Sequence, residues 1–239
     1  MRDIAYFMTD EREYKDRRQR IFAEHVVWQE RRVELYRIPP SFLKGKGGIR
    51  AFAGRKEAER LKSQIEGEAS MQLWTAPELD GVWKDFRQPV PDALLAAYIW
   101  RQQPFRENLV ILSGEEGQRW QEDFIEEAFG QLNGLYLIGK EDTFYMEEQA
   151  QRIYEDSGLL ISFLSEIPET DGRRTTVVEL RKNARPPVRS MAFGCLYLDM
   201  TSDPAKKRLI VEKRTDISYI SVRNYLDTAF KARYMRFDR

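Results

Sequence analysis

Asn108-Leu-Val-Ile-Leu-Ser113, Gly134-Leu-Tyr-Leu-Ile-Gly139 and Leu159-Leu-Ile-Ser-Phe-Leu164 decide the fold. The three short apolar runs are separated by polar segments of helical length, 118–131 and 143–156. Runs of this kind, bounded by small or polar residues, read as strands buried on both faces. A parallel pair needs a crossover of a dozen or more residues, so the intervening segments fit helices that join parallel strands. Thr176-Val-Val-Glu-Leu180 and Gly194-Cys-Leu-Tyr-Leu-Asp199 add two strands, with Asp171-Gly172 as a turn signal before them. Residues 217–222 lead into a last helix, 224–234, where Tyr225, Ala229 and Ala232 recur at helical spacing. The fold class expected is α/β: a Rossmann-like, mostly parallel sheet flanked by helices.

Residues 1–105 are less regular and are expected to form an αβ portion packed on a Rossmann-like portion, 106–239, or to be continuous with it. Ile4-Ala-Tyr-Phe-Met8 reads as a strand, and Thr9 and Asp10 as caps of a helix over 10–23. Val26, Val27 and Trp28, then Val33, Leu35 and Ile38, suggest two short strands ended by Pro39-Pro40. A basic loop, Lys44-Gly-Lys-Gly-Gly48, leads into a helix over 49–65 whose apolar face includes Phe52, Leu61 and Ile65. Residues 71–74 suggest another strand, and 77–105 a mostly helical stretch closed by Pro104.

Composition narrows the function classes. Apolar residues make up 42% and aromatics 12%, which is globular rather than disordered. The 39 basic residues cancel the 39 acidic ones, so no overall field draws nucleic acid or an anionic membrane. No apolar run approaches the roughly 20 residues of a membrane-spanning helix, and no signal stretch opens the chain. A single cysteine, Cys195, and a single histidine, His25, argue against disulfides and against Cys- or His-built metal centres. A cytoplasmic protein without a membrane partner is the expectation.

Parallel sheets bind ligands at the carboxyl ends of their strands. The expected ligand edge collects Ser113, Gly114, Glu115 and Glu116, then Gly139, Lys140, Glu141 and Asp142, then Ser165 and Glu166. Asp199, Thr201, Ser202 and Asp203 join it if their strand is parallel to the others. Asp199 and Asp203 with Glu115 or Glu116 would suit magnesium, a hard cation that prefers carboxylate oxygens, while Lys140 would meet a phosphate. The competing account places these acids in helix first turns, with Thr201, Ser202 or Asp203 capping the helix that runs to Lys206.

No dinucleotide fingerprint is present: Ser113-Gly-Glu-Glu-Gly117 lacks the G-x-G spacing, and Lys44–Gly48 is not a Walker loop. The G-x-S-x-G elbow of serine hydrolases is absent as well. Cys195 reads as a small core hydrophobe and His25 as a residue that caps or packs at a helix end. Arg173, Arg174, Arg181, Lys182, Arg185 and Arg189 form the densest basic stretch, which would suit phosphates or an acidic partner, but Asp171 and Glu179 dilute the charge and a solvated face is the preferred reading. Lys206, Lys207, Arg208, Lys213 and Arg214, with Tyr219, Tyr225, Lys231, Arg233, Tyr234 and Arg236, have the basic and aromatic interleaving of a single-strand nucleic-acid platform, although tyrosines at helical spacing also suit a packed helix.

The reading preferred from sequence is a non-catalytic binding or regulatory module with a small-molecule or protein partner. Behind it stand a magnesium-dependent enzyme acting on a phosphorylated substrate and, less favoured, a nucleic-acid-associated protein. Substrate, pathway and oligomeric state are not written in the sequence.

Overall fold

The computed structural model describes residues 2–10, 20–43, 49–103, 107–114, 118–139 and 143–234. The chain divides into two compact units, one of residues 1–89 with 226–239 and one of residues 90–225. Among the described residues no helix is long and apolar enough to cross a membrane.

The first unit holds β1 (Asp3–Thr9), β2 (Phe22–Trp28), β3 (Arg31–Ile38), α1 (Pro40–Leu43), α2 (Ile49–Glu66) and β4 (Met71–Thr75). Its sheet has the order β2-β3-β1-β4, with β1 parallel to both neighbours and β2 antiparallel to β3. Ile4–Met8 of β1 form an unbroken buried run, as a strand covered on both faces requires. Ala5 and Phe7 face a core containing Ile38, Phe42, Ala58, Ile65 and Leu73, where Phe7 stacks on Tyr36 at 4.6 Å and meets Trp83 edge-on. Tyr6, on the alternate face, packs against Phe230 and donates from its hydroxyl to the Asp227 carboxylate.

β2 and β3 are joined by Gln29 and Glu30, both in the left-handed region with φ of 51° and 60°. Two successive left-handed residues between antiparallel strands make a type I′ hairpin, whose twist matches that of the strands. The usual Asn-Gly is missing, which is why the turn is silent in the sequence.

The second unit contains α3 (Ala93–Arg101), β5 (Asn108–Leu112), α4 (Gln118–Ala128), β6 (Gly134–Ile138), α5 (Thr143–Ser157), β7 (Ile161–Leu164), β8 (Thr175–Glu179), β9 (Leu196–Asp199), α6 (Pro204–Lys213) and β10 (Ser218–Ser221). A last helix, α7 (Val222–Tyr234), starts in this unit, and from Leu226 its residues belong to the first. All six strands are parallel in the order β10-β9-β8-β5-β6-β7. Counted along the chain this is the doubly wound order, growing outward from β5 through β6 and β7, then returning beside β5 with β8 and continuing to β9 and β10. The winding direction therefore reverses between β5 and β8. Leu109 to Leu112 are at most 1% exposed, as expected of the strand on which both halves are built.

Helical connections are not uniform. α4, α5 and α6 serve three crossovers, but residues 165–174 and 180–195 cross without an α-helix. Segment 186–192 is held instead by Arg214, whose guanidinium donates to the carbonyls of Val188, Met191 and Ala192 and pairs with Asp216 at 2.7 Å. The Arg214 hydrogen bond, with smaller help from backbone donors, holds the Asp216 carboxyl well below its usual range, at about 2.

Several local expectations change. Residues 11–19 of the helix expected over 10–23 lie outside the described residues, and Phe22 and Ala23 are in β2, where alternation and pairing with β3 prevail. His25 consequently sits in mid-strand, 3.6 Å from Glu34, rather than at a helix end. Phe52 is 60% exposed beneath the Lys56 ammonium, so the buried side of α2 rests on Ala58, Leu61 and Ile65. Among the described residues of the stretch expected to be mostly helical, regular helix is confined to a single 3-10 turn at Pro77–Leu79 and to α3. Pro89 and Pro91 keep the chain extended until Asp92 caps α3 by accepting from the Leu95 amide.

Replacing Gln29-Glu30 by Asn-Gly relieves two left-handed residues and is expected to raise stability by about 1 kcal/mol in denaturant titration. Asp216, with its lowered pKa, contributes stability that is present above the unfolded value near 3.8 and lost as pH falls toward about 2. Asp216→Asn should accordingly show a shallower loss of Tm over that acid window than the wild-type chain.

Candidate functional site

β8 and β9 end in acidic residues placed opposite each other, Glu179 beside Asp199, with Ser221 of β10 next in line. Both carboxylates are fully buried. Neighbouring strands lie about 4.8 Å apart, so two such groups need dense compensation. Glu179 accepts from the Arg181 amide and Nε on one oxygen, and from Arg181 Nη2 and the Tyr197 hydroxyl on the other, all at 2.8–3.0 Å. Asp199 accepts from the Thr201 amide and hydroxyl at 2.9 and 2.6 Å, and from the Asp203 amide and Tyr219 hydroxyl at 3.0 and 2.7 Å.

The pattern repeats across the sheet because each tyrosine stands two residues before the polar strand end. It therefore shares that end's face and reaches diagonally to the next strand. The Tyr197 and Tyr219 rings are themselves stacked, with centroids 6.1 Å apart. Lys206, 2% exposed on α6, donates to the Thr201 hydroxyl at 3.1 Å and to the Arg181 carbonyl, which joins the two halves into one network.

The electrostatics follow from this packing. Burial pushes the Asp199 carboxyl above the usual carboxylate range, opposed by hydrogen bonds from Thr201 and Tyr219 and by the Lys206 charge. Burial, then the adjacent carboxylates, raises both tyrosines far above the ordinary phenol value. The hydrogen bond to Glu179 raises Arg181 further. A carboxylate offers about four lone-pair positions, and each of these two has four donors. The assembly is built to hold the strand ends rather than to present an open ligand or base.

The remaining expected edge residues are distributed around this network. Ser202, with a left-handed φ of 53°, accepts from the Arg223 amide at the start of α7, while Asp203 caps α6 by accepting from the Ala205 amide. Thr201 serves Asp199, so each of the four residues 199–203 named in advance has a partner within its own chain. Ser113 and Gly114 continue β5 at the point where the winding reverses. A Cβ on Gly114 would stand 2.5 Å from the Leu180 carbonyl oxygen, so backbone approaches backbone there. Gly139 abuts Ser113 in the same way, its would-be Cβ 2.7 Å from the serine Cβ.

Glu115, Glu116, Lys140, Glu141 and Asp142 lie outside the described residues. Ser165 and Glu166 follow the edge strand β7, four strand spacings from β9, or roughly 19 Å. Among the described residues no three His, Cys, Asp or Glu side chains form a cation cluster. Cys195 is buried in the core before β9, as a small hydrophobe should be.

The sequence suggests a solvated face for Glu179 and Arg181 and a basic, aromatic stretch around Lys206; the structure buries Glu179 and Lys206 and bonds Arg181 to Glu179. The missed signal was the period of two: Tyr197-Leu-Asp199 and Val177-Val-Glu179 carry their polar ends on the face of a buried strand, where an acid must be paired. Of the C-terminal basic and aromatic set, Tyr225 meets Tyr98 edge-on and Lys231 pairs with Glu78 and Asp227. Tyr234 closes α7, the side chain of Arg233 is not described, and Arg236 lies outside the described residues.

Tyr197→Phe leaves Glu179 one donor short and should cost about 1–3 kcal/mol in chemical denaturation. Tyr219→Phe removes one of the hydrogen bonds that lower Asp199, so its carboxyl should titrate higher by carbon NMR. A raised carboxyl holds its proton more tightly when folded, so stability declines as pH rises from the unfolded value near 3.8 through the folded one. The variant should decline more steeply than the wild type.

No protein-family model and no curated protein matches this sequence. Among solved structures the chain is similar to a putative aspartate carbamoyltransferase from Trypanosoma cruzi, with 9% identity, a TM-score of 0.31, and coverage of 82% of this chain and 69% of that one.

Proposed function

We propose that the second unit is a binding or regulatory module that holds a small polar molecule over the carboxyl ends of β5 and β8 without transforming it. The observation that carries this reading is the fourfold hydrogen bonding of both Glu179 and Asp199, which commits to structure the carboxylates best placed for chemistry. Support for the location comes from the reversal of strand order between β5 and β8, where open α/β sheets leave a crevice. Gly114 follows β5 at that reversal, and its close approach to the Leu180 carbonyl makes backbone groups the recognition elements of this reading. The strand order is a fold-level argument and supports a place for a ligand, not a chemistry.

Ligand-observed NMR of the full chain with amino acids, nucleosides, nucleotides and dinucleotides tests the proposal. At least one compound should bind, be recovered unchanged after prolonged incubation, and stabilise by about 2.7 kcal/mol at 100 times its dissociation constant. Gly114→Val, with a folded circular-dichroism spectrum, should weaken that binding about tenfold or more. Conversion of the bound compound would overturn the non-catalytic reading, binding indifferent to Gly114→Val would overturn the location, and a silent panel would overturn the small-molecule class.

A further inference from the structure

Two basic stretches that are separate in sequence meet at the opposite edge of the same sheet. α6 starts beyond the carboxyl end of β9 and runs back, so its last turn, with Lys213 and then Arg214, reaches the amino end of β10. Residues 185–190 lie against that turn and enclose with it a groove of about 720 Å³. Arg185, Arg189 and Lys213 line the groove and are exposed. None of the three is joined to a carboxylate among the described residues. Glu212 precedes Lys213 but is not part of the groove wall.

The fourth cation, Arg214, has a different task. Its charge is matched by Asp216, and its remaining donors hold the carbonyls of residues 188–192. That leaves three uncompensated positive charges on a wall whose backbone is already set. Pro186 and Pro187 fix their φ angles, the Val188 amide donates to the Pro186 carbonyl, and the Ser190 amide donates to the Pro187 carbonyl. A wall ordered in advance lowers the entropy cost of binding.

We propose that this groove is an anion site, separate from the crevice over β5 and β8, for a small molecule carrying two or more phosphate groups. Planar guanidinium forks match phosphate oxygens in pairs, and Arg185 and Arg189 supply two of them while Lys213 adds a point charge. Lys213 in the last turn of α6 is also favourably placed against the helix dipole, so its position does not depend on the ligand. A demand for three negative charges exceeds what one carboxylate or one phosphate supplies. The volume lies within the range of small-molecule sites, roughly 300–1,000 Å³, which favours a compact ligand over a polymer.

Calorimetric titration of tripolyphosphate into the full chain at low salt, with thermal shift as a second readout, tests this assignment. Binding is expected for the wild type. Arg185→Ala with Arg189→Ala should weaken it about tenfold or more, and Lys213→Ala by a smaller factor, since the paired guanidinium contacts are lost in the first and a single point charge in the second. Lys207→Ala with Arg208→Ala, exposed cations on α6 outside the groove wall, should change affinity less than about twofold. Gly114→Val should bind tripolyphosphate as the wild type does, so failure of the crevice and failure of this groove give different patterns.

The site is overturned if millimolar tripolyphosphate produces neither heat nor a Tm rise, or if the Lys207 and Arg208 pair matters as much as the groove arginines. Orthophosphate binding as tightly as tripolyphosphate would overturn the requirement for several phosphates. A single-stranded RNA of equal charge displacing tripolyphosphate in a groove-dependent way would overturn the small-ligand assignment.

Discussion

Two carboxylates cannot lie side by side in the interior of a parallel sheet unless each is surrounded by donors. Glu179 and Asp199 meet that condition with hydroxyls from the next strand, an arginine two residues on, and backbone amides of the turns that follow them. The consequences spread through the second unit. Arg181 is bent back onto its own strand end, Tyr197 and Tyr219 are fixed in register and stacked, and the turn after β9 is shaped so that Asp203 and Ser202 can each serve a helix start. Removing one carboxylate would leave several donors unsatisfied at once. The strand ends thus behave as one polar unit rather than as a row of separate caps.

The same logic separates the two edges of the sheet. At the carboxyl edge Glu179, Asp199 and Asp203 are each engaged by internal bonds. At the amino edge Arg214 absorbs the structural role, which leaves Arg185, Arg189 and Lys213 free of acidic partners. Among the described residues of the second unit, these three unpaired cations thus lie at the opposite edge of the sheet from the buried acidic layer. Neutral net charge conceals this division, because it sums over both edges.

Much of the second unit was legible in the sequence. β5 and β6 are close to continuous apolar runs, and β7, β8 and β9 are short strands dominated by Val, Ile, Leu and aromatics, as buried parallel strands tend to be. α4 and α5 carry ordinary amphipathic spacing. What escaped has specific causes. The turn at Gln29-Glu30 uses residues that do not advertise a left-handed backbone, and the helical pattern before it extends over Phe22 and Ala23, which pairing with β3 places in a strand. Phe52 looked like a core residue because periodicity registers type and not the angular position of the real helix face. The polar network was half legible: Asp199, Thr201, Ser202 and Asp203 were singled out as a cluster, but a cluster in sequence does not reveal whether its oxygens point inward to amides or outward to a ligand. Glu179 and Lys206 were hidden by charged neighbours, since the exposure of a charge depends on tertiary packing that no local pattern records.

The path of the chain through its two units carries a consequence for synthesis. The first unit contains the earliest residues of this sequence, yet the face of β1 bearing Tyr6 is closed by Phe230 and Asp227 from α7, and Phe230 also packs on Trp28. Between the two parts lie the 136 residues from Val90 to Tyr225. At roughly 5–20 residues per second, a ribosome would take on the order of ten seconds to traverse them. During that interval the four-stranded sheet would present a row of aromatic side chains without its cover, while the six-stranded unit can complete its own core. The face of β1 that bears Tyr6 is thus completed only after residues 90–225 have been made, however early its own strands can pair.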